Sequence, residues 1–194
     1  MKIITKFYNK FIYYLNKRKC SSFGTNSYID KTVKVFFYKG LYLNDYVSIY
    51  YNNFIMNENG KVYIGKRSHI APGGYINCNN TSIIIGNNVA IGPQCCIIAC
   101  SNYYRITKKG INIHKIIKDD IKIGNNVFIG ANVTILPGVS IASNCVIGAG
   151  SIVNKDIYIS GVYAGNPVVK IKEFIIKSIN QEEIHNENKY KEKN

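Results

Sequence analysis

Acidic residues are scarce in this 194-residue chain, 11 Asp and Glu against 25 Lys and Arg, which leaves a formal charge of +14. A surface of that sign suits an anionic partner: nucleic acid, a phosphorylated co-substrate or an anionic membrane. Nucleic acid is set aside, because beyond charge the aromatics cluster only in 7–14 and 36–54, without a recognisable stacking platform. Long apolar runs are missing too, and none reaches the roughly 18 residues that a transmembrane helix needs. The N-terminus, MKIITKFYNKFIYYLNKRKC, has neither a clean apolar stretch nor a small-residue cleavage site. It is therefore expected to be retained, and the protein to be cytoplasmic. None of the six cysteines forms a C-x-x-C pair, and neighbours Cys95 and Cys96 point to opposite sides of any extended segment. Reduced, packed thiols and no metal are expected. No linker divides the chain, so one domain is expected.

What the chain does have is a beat. Aliphatic residues return at every sixth position at Ile123, Ile129, Ile135, Ile141, Ile147 and Val153. Neither the 3.6-residue period of a helix nor the 2-residue period of a half-buried strand explains this, so the pattern marks a structural repeat. The same beat runs faintly from Ile29 through Val35, Leu41 and Val47, slips near 50–60, and resumes at Ile64, Ile70 and Ile76. After a short excess it continues at Ile85, Ile91 and Ile97, then breaks for a longer excursion before Ile111 and Ile117. Each hexad supplies one short strand and one corner of a triangular prism, and three hexads close a coil of about 18 residues. Gly and Asn pairs tolerate the corner angles, and coils stack as parallel strands roughly 4.8 Å apart. Three segments are expected: an N-terminal amphipathic helix and cap over 1–28, the prism over 29–167 with an inserted loop at 100–118, and a C-terminal helix with a frayed tail over 168–194. The helix at 3–19 either covers the open end of the prism or lies on a membrane surface.

These hexads resemble those of the hexapeptide-repeat acyltransferases, most specifically over 121–172, where IGNNVFIGANVTILPGVSIASNCVIGAGSIVNKDI is followed by VYAGNPVVKIKEF. The resemblance implies an all-β fold, a left-handed parallel β-helix with a short N-terminal and a C-terminal helix. Its nearest branch includes the maltose, galactoside, capsule and virginiamycin-type acetyltransferases. It implies a homotrimer with acetyl-CoA lying along the coils in clefts between protomers. The acceptor would be a hydroxyl or amine of a sugar, nucleotide-sugar or surface-polysaccharide precursor. Contacts to CoA are implied at Gly130, Ala131, Gly148, Ala149, Asn166, Pro167 and Lys170, with the lysine pairing with phosphate.

Transfer of an acyl group from a thioester needs a base to take the acceptor's proton. In that branch the base is a histidine at the start of the long loop, next to an asparagine. Here Asn102 matches, but Tyr103 stands in the histidine's place. Three readings stay open: His114, later in the same loop, is the base; Tyr103 takes part beside Asn102 in binding the acceptor; or the acceptor is an amine that needs a base less. A catalytically silent trimer serving as a ligand-binding or scaffold module is the alternative. His69 is read as a structural or merely exposed corner residue, and His185 falls in the tail. A zinc centre of three histidines, as in the γ-class carbonic anhydrases of this fold, fails because only His69 and His114 lie in the repeat.

Overall fold

The computed structural model describes residues 13–174. Inward aliphatic side chains wind this chain into a left-handed parallel β-helix of about six coils, with three flat faces. Face I stacks Ser22–Phe23, Leu41–Leu43, Lys61–Ile64, Ser82–Ile85, Ile121–Ile123 and Ser140–Ile141. Face II stacks Tyr28–Ile29, Ser48–Ile49, His69–Ile70, Ala90–Ile91, Phe128–Ile129, Cys145–Ile147 and Gly161–Ala164. Face III stacks Lys34–Val35, Phe54–Met56, Tyr75–Asn77, Cys96–Ile98, Thr134–Ile135 and Ile152–Val153. Along face II, Ile49, Ile70, Ile91, Ile129 and Ile147 are almost wholly buried and lie in register. Each such burial stabilises by about 1.5–3 kcal/mol relative to exposure.

The slips in the beat have a local cause. Leu43 pairs with Ile64 and Ile64 with Ile85, whereas Ile123 pairs with Ile141. The lower coils are therefore longer than the upper ones, and the extra residues sit in the corners between faces III and I at 57–60 and 78–81. Corner residues take left-handed backbone angles, which asparagine tolerates better than most residues. Between faces I and II these include Asn88, Asn126 and Asn144, with φ of 54°, 56° and 60°. Their side chains form a ladder: the Asn88 amide donates to Asn126 and the Asn126 amide to Asn144, each at 3.1 Å.

Two expected elements take other forms. The excursion at 100–118 is an antiparallel hairpin, Cys100–Thr107 with Gly110–Lys118, rather than a loop. We call it the arm. It leaves the corner between faces III and I, where the Asp119 N–H donates to the Ala99 carbonyl at 3.0 Å. The C-terminal helix expected from 168 does not begin there. Val169–Glu173 is a strand that folds back antiparallel onto Gly161–Ala164 and pairs with its outer edge. Residues 175–194 lie outside the described residues, and so does most of the stretch 3–19. Its described part is helical over 13–19 and packs over the lower end, with the Tyr13 and Phe23 ring centroids 5.4 Å apart. Among the described residues no helix is long and apolar enough to cross a membrane.

Candidate functional site

Face II is the face on which candidate residues gather. Its outward positions run in register from Ser48 through His69, Ala90, Phe128 and Val146 to Val162. The inward Ile of each strand forces the preceding residue outward, because side chains alternate across a strand. Phe128 is thus 52% exposed beside the fully buried Ile129. Along one border of the face, the asparagine ladder and Phe128 line a groove of about 390 Å³, floored by Ala90 and Val146 and closed at one end by Phe174.

The other border is the corner between faces II and III, and there the structure brings together six of the residues expected to contact CoA. Gly130 and Ala131 lie directly beneath Gly148 and Ala149, with Ala164, Gly165, Asn166 and Pro167 above. The coils approach so closely that a Cβ on Gly130 would lie 2.6 Å from the Ala149 nitrogen. Glycine is required here by space, since its φ is not in the left-handed region. Buried Ser151 ties the levels together: its hydroxyl donates to the Gly148 carbonyl at 2.6 Å and accepts from the Gly165 N–H at 3.0 Å. The Asn166–Pro167 peptide is cis, and Val168 behind it is fully buried. Lys170, on the returning strand beside Tyr163, is exposed and donates to the Glu173 carboxylate at 2.6 Å. That hydrogen bond and the carboxylate charge push its ammonium pKa up, so it stays cationic.

His114, Asn102 and Tyr103 are not brought to this face. All three are on the arm, whose residues 101–118 are exposed throughout. The arm leaves the corner opposite face II. Asn102 stands across from Ile116. Tyr103 lies under the Lys115 ammonium, 5.6 Å from its ring centroid, and stacks on Tyr104 at 6.1 Å. The His114 N–H donates to the Asn112 side chain at 3.0 Å.

Sequence reasoning missed Phe128, the asparagine ladder and the place of His69. His69 is no corner residue: it lies in a strand and faces outward on face II, half-buried. The signal was available, since each of these side chains immediately precedes an inward aliphatic or sits at a fixed offset from one. Among the described residues no cluster of His, Cys, Asp and Glu could hold a metal ion. Burial pushes the Cys20 thiol up to about 11 and the Cys78 thiol up to about 12. Such thiols are poor nucleophiles.

Residues 120–155 match the bacterial transferase hexapeptide (six repeats) family model. The chain is 40% identical over 116 residues to a galactoside O-acetyltransferase of Escherichia coli (strain K12), covering 56% of this chain and 55% of that protein. It is 33% identical over 131 residues to a putative acetyltransferase of Saccharomyces cerevisiae, covering 65% and 66%. It spans about half the length of the two galactoside O-acetyltransferases it matches, from E. coli and Lactococcus lactis. In fold it is similar to AntD, an N-acyltransferase from Bacillus cereus solved with dTDP and 3-hydroxybutyryl-CoA, with a TM-score of 0.70, 23% identity and coverage of 93% and 94%. A maltose O-acetyltransferase from Clostridium difficile superposes with a TM-score of 0.52 at 27% identity, covering 82% and 73%.

Proposed function

Taking as premise that this chain is a hexapeptide-repeat β-helix protein, we propose that it is a CoA-dependent acyltransferase that moves an acetyl group from acetyl-CoA to a hydroxyl or amine of a sugar or surface-polysaccharide precursor. The observation that carries this reading is the closely stacked column Gly130–Ala131, Gly148–Ala149 and Gly165–Asn166–Pro167, bordering the open outer surface of face II. Backbone at such a corner accepts an extended chain without side-chain obstruction. Asn166, Pro167 and Lys170 would receive the nucleotide end, the exposed lysine exchanging its Glu173 partner for phosphate. The pantetheine arm would then descend along Gly148, Ala149, Gly130 and Ala131 toward Ala90 and Phe128.

Acyl transfer also requires the acceptor's proton to leave as its oxygen or nitrogen attacks the thioester carbon. A backbone N–H of the corner is suited to stabilise the resulting oxyanion. The proton acceptor comes either from face II itself or from another copy's arm, which carries His114, Asn102 and Tyr103. The arm reading requires a homotrimer with each cleft shared by two protomers.

Thermal shift with acetyl-CoA and release of free CoA thiol on adding acceptor sugars test the proposal. An enzyme gives both signals. A shift without thiol release supports the silent binding module instead, the reading that Tyr103 in place of histidine favours.

A further inference from the structure

Resting on the donor site proposed above, we infer that His69 is the proton acceptor of the transfer reaction. Four coil steps separate the level of Tyr163 from that of His69 along face II, passing Val146, Phe128 and Ala90, and Lys170 stands one strand further out on the returning strand. At roughly 4.8 Å per step the four steps span about 19 Å. A pantetheine arm is a chain of two amides with the reach of a four- to five-residue extended peptide, roughly 15 Å. A donor whose pantetheine leaves the nucleotide at the level of Asn166, just after the strand of Tyr163, therefore ends with its thioester beside Ala90, one coil above His69.

Local geometry fits that end point. Ala90 is the one outward side chain between Phe128 and His69 and is small, so it leaves a slot between an aromatic ring above and an imidazole below. His69 is fixed in its strand and its ring has an aromatic neighbour. Its backbone N–H donates to the Val89 carbonyl at 2.9 Å, and its ring meets Tyr50 edge-on with centroids 6.1 Å apart. Among the described residues the other histidine is His114, on the arm at the opposite corner. Imidazole is also the side chain best matched to proton transfer near neutral pH. A ring nitrogen of His69 takes the acceptor's proton as the acceptor bonds to the thioester carbonyl carbon. The tetrahedral intermediate then collapses, the C–S bond breaks, and the imidazolium returns the proton to the CoA thiolate.

Bromoacetyl-CoA tests this without relying on turnover. It carries an electrophilic carbon next to the thioester, and a ring nitrogen within reach displaces bromide to form a stable N–C bond. The expected result is a single CoA-derived adduct on the tryptic peptide containing His69, suppressed by excess acetyl-CoA. The adduct should vanish in His69→Gln, while that variant keeps the acetyl-CoA thermal shift. In turnover, His69→Gln should lower kcat about 10²- to 10⁴-fold and change KM for acetyl-CoA less than about twofold. An adduct on His114 or Cys96, or no adduct despite a retained CoA shift, overturns the assignment and leaves CoA binding standing. If neither shift nor adduct is seen, both the donor site and the His69 assignment fall.

Discussion

Gly130 and Phe128 are near neighbours in sequence that should respond to mutation in opposite ways. A methyl on Gly130 would press on the Ala149 backbone at 2.6 Å, where no flexible side chain can yield. Gly130→Ala should therefore destabilise the fold by about 1–3 kcal/mol, read by urea unfolding, and weaken the acetyl-CoA thermal shift. Phe128 is half-exposed, so Phe128→Ala should change stability by no more than about 0.5 kcal/mol. Its effect should appear in binding: acetyl-CoA affinity, measured by calorimetry, should fall roughly fivefold, about 1 kcal/mol, if the ring lines the donor's path. Unchanged affinity would remove Phe128 from that path. The buried thiols give a pH prediction. Cys20 and Cys78 are raised by burial to about 11 and about 12, above their ordinary value of 9.0. Folding thus favours the protonated thiol, and the stability this contributes is complete below pH 9 and lost as pH rises through 11 to 12. Urea midpoints should fall between pH 9 and 12, and less steeply in Cys78→Ala than in the wild type.

Among the elements, the strand Thr134–Ile135 and the arm make a contrast. Val133, just before that strand, is fully buried, and the following Thr134 N–H donates to the Ser151 carbonyl at 2.9 Å. Val133→Pro forces the backbone and removes volume in the middle of a stacked ladder, and it should abolish cooperative unfolding in circular dichroism. A retained melting temperature would show that the register is wrong. The arm behaves differently, because it touches little of its own prism. Its isoleucines face solvent: Ile106 and the paired Ile111 are 77% and 69% exposed, and Ile113 and Ile116 are about half exposed. A two-stranded ribbon is marginal in water by itself, so one that exposes several isoleucines calls for a surface to lie against. Ile106→Ser with Ile111→Ser should leave the β-helix folded and weaken self-association.

At the scale of the molecule, the proposed homotrimer should sediment at about three times the 21.9 kDa chain mass. A clean monomer at micromolar concentration would rule out a site shared between protomers. It would leave the donor column and His69 untouched, since the column borders face II and His69 lies on it within one chain.

The hexad beat by itself determined the prism and most of its inward residues, because one buried aliphatic per strand is a requirement that the sequence must display, but Ile111 and Ile117, which fall in with the same beat, lie exposed on the arm. It also located the Gly130 and Gly148 column, with Asn166 and Pro167 above it, through its likeness to the hexapeptide acyltransferases. It did not determine what stands beside what. Ala90 and Phe128 are 38 positions apart yet adjacent on face II, because the arm is spliced between their coils. The arm looked like a loop, since its alternation is short and its partner strand lies across a turn. His69 looked like a corner residue because the lower coils are longer, which blurs the frame from which inward and outward are counted. Only the closed prism decided that His69, Ala90 and Phe128 share one face while His114 leaves from the opposite corner. Each hexad fixes whether a side chain points in or out, but which of the three faces it joins depends on the exact length of every coil before it.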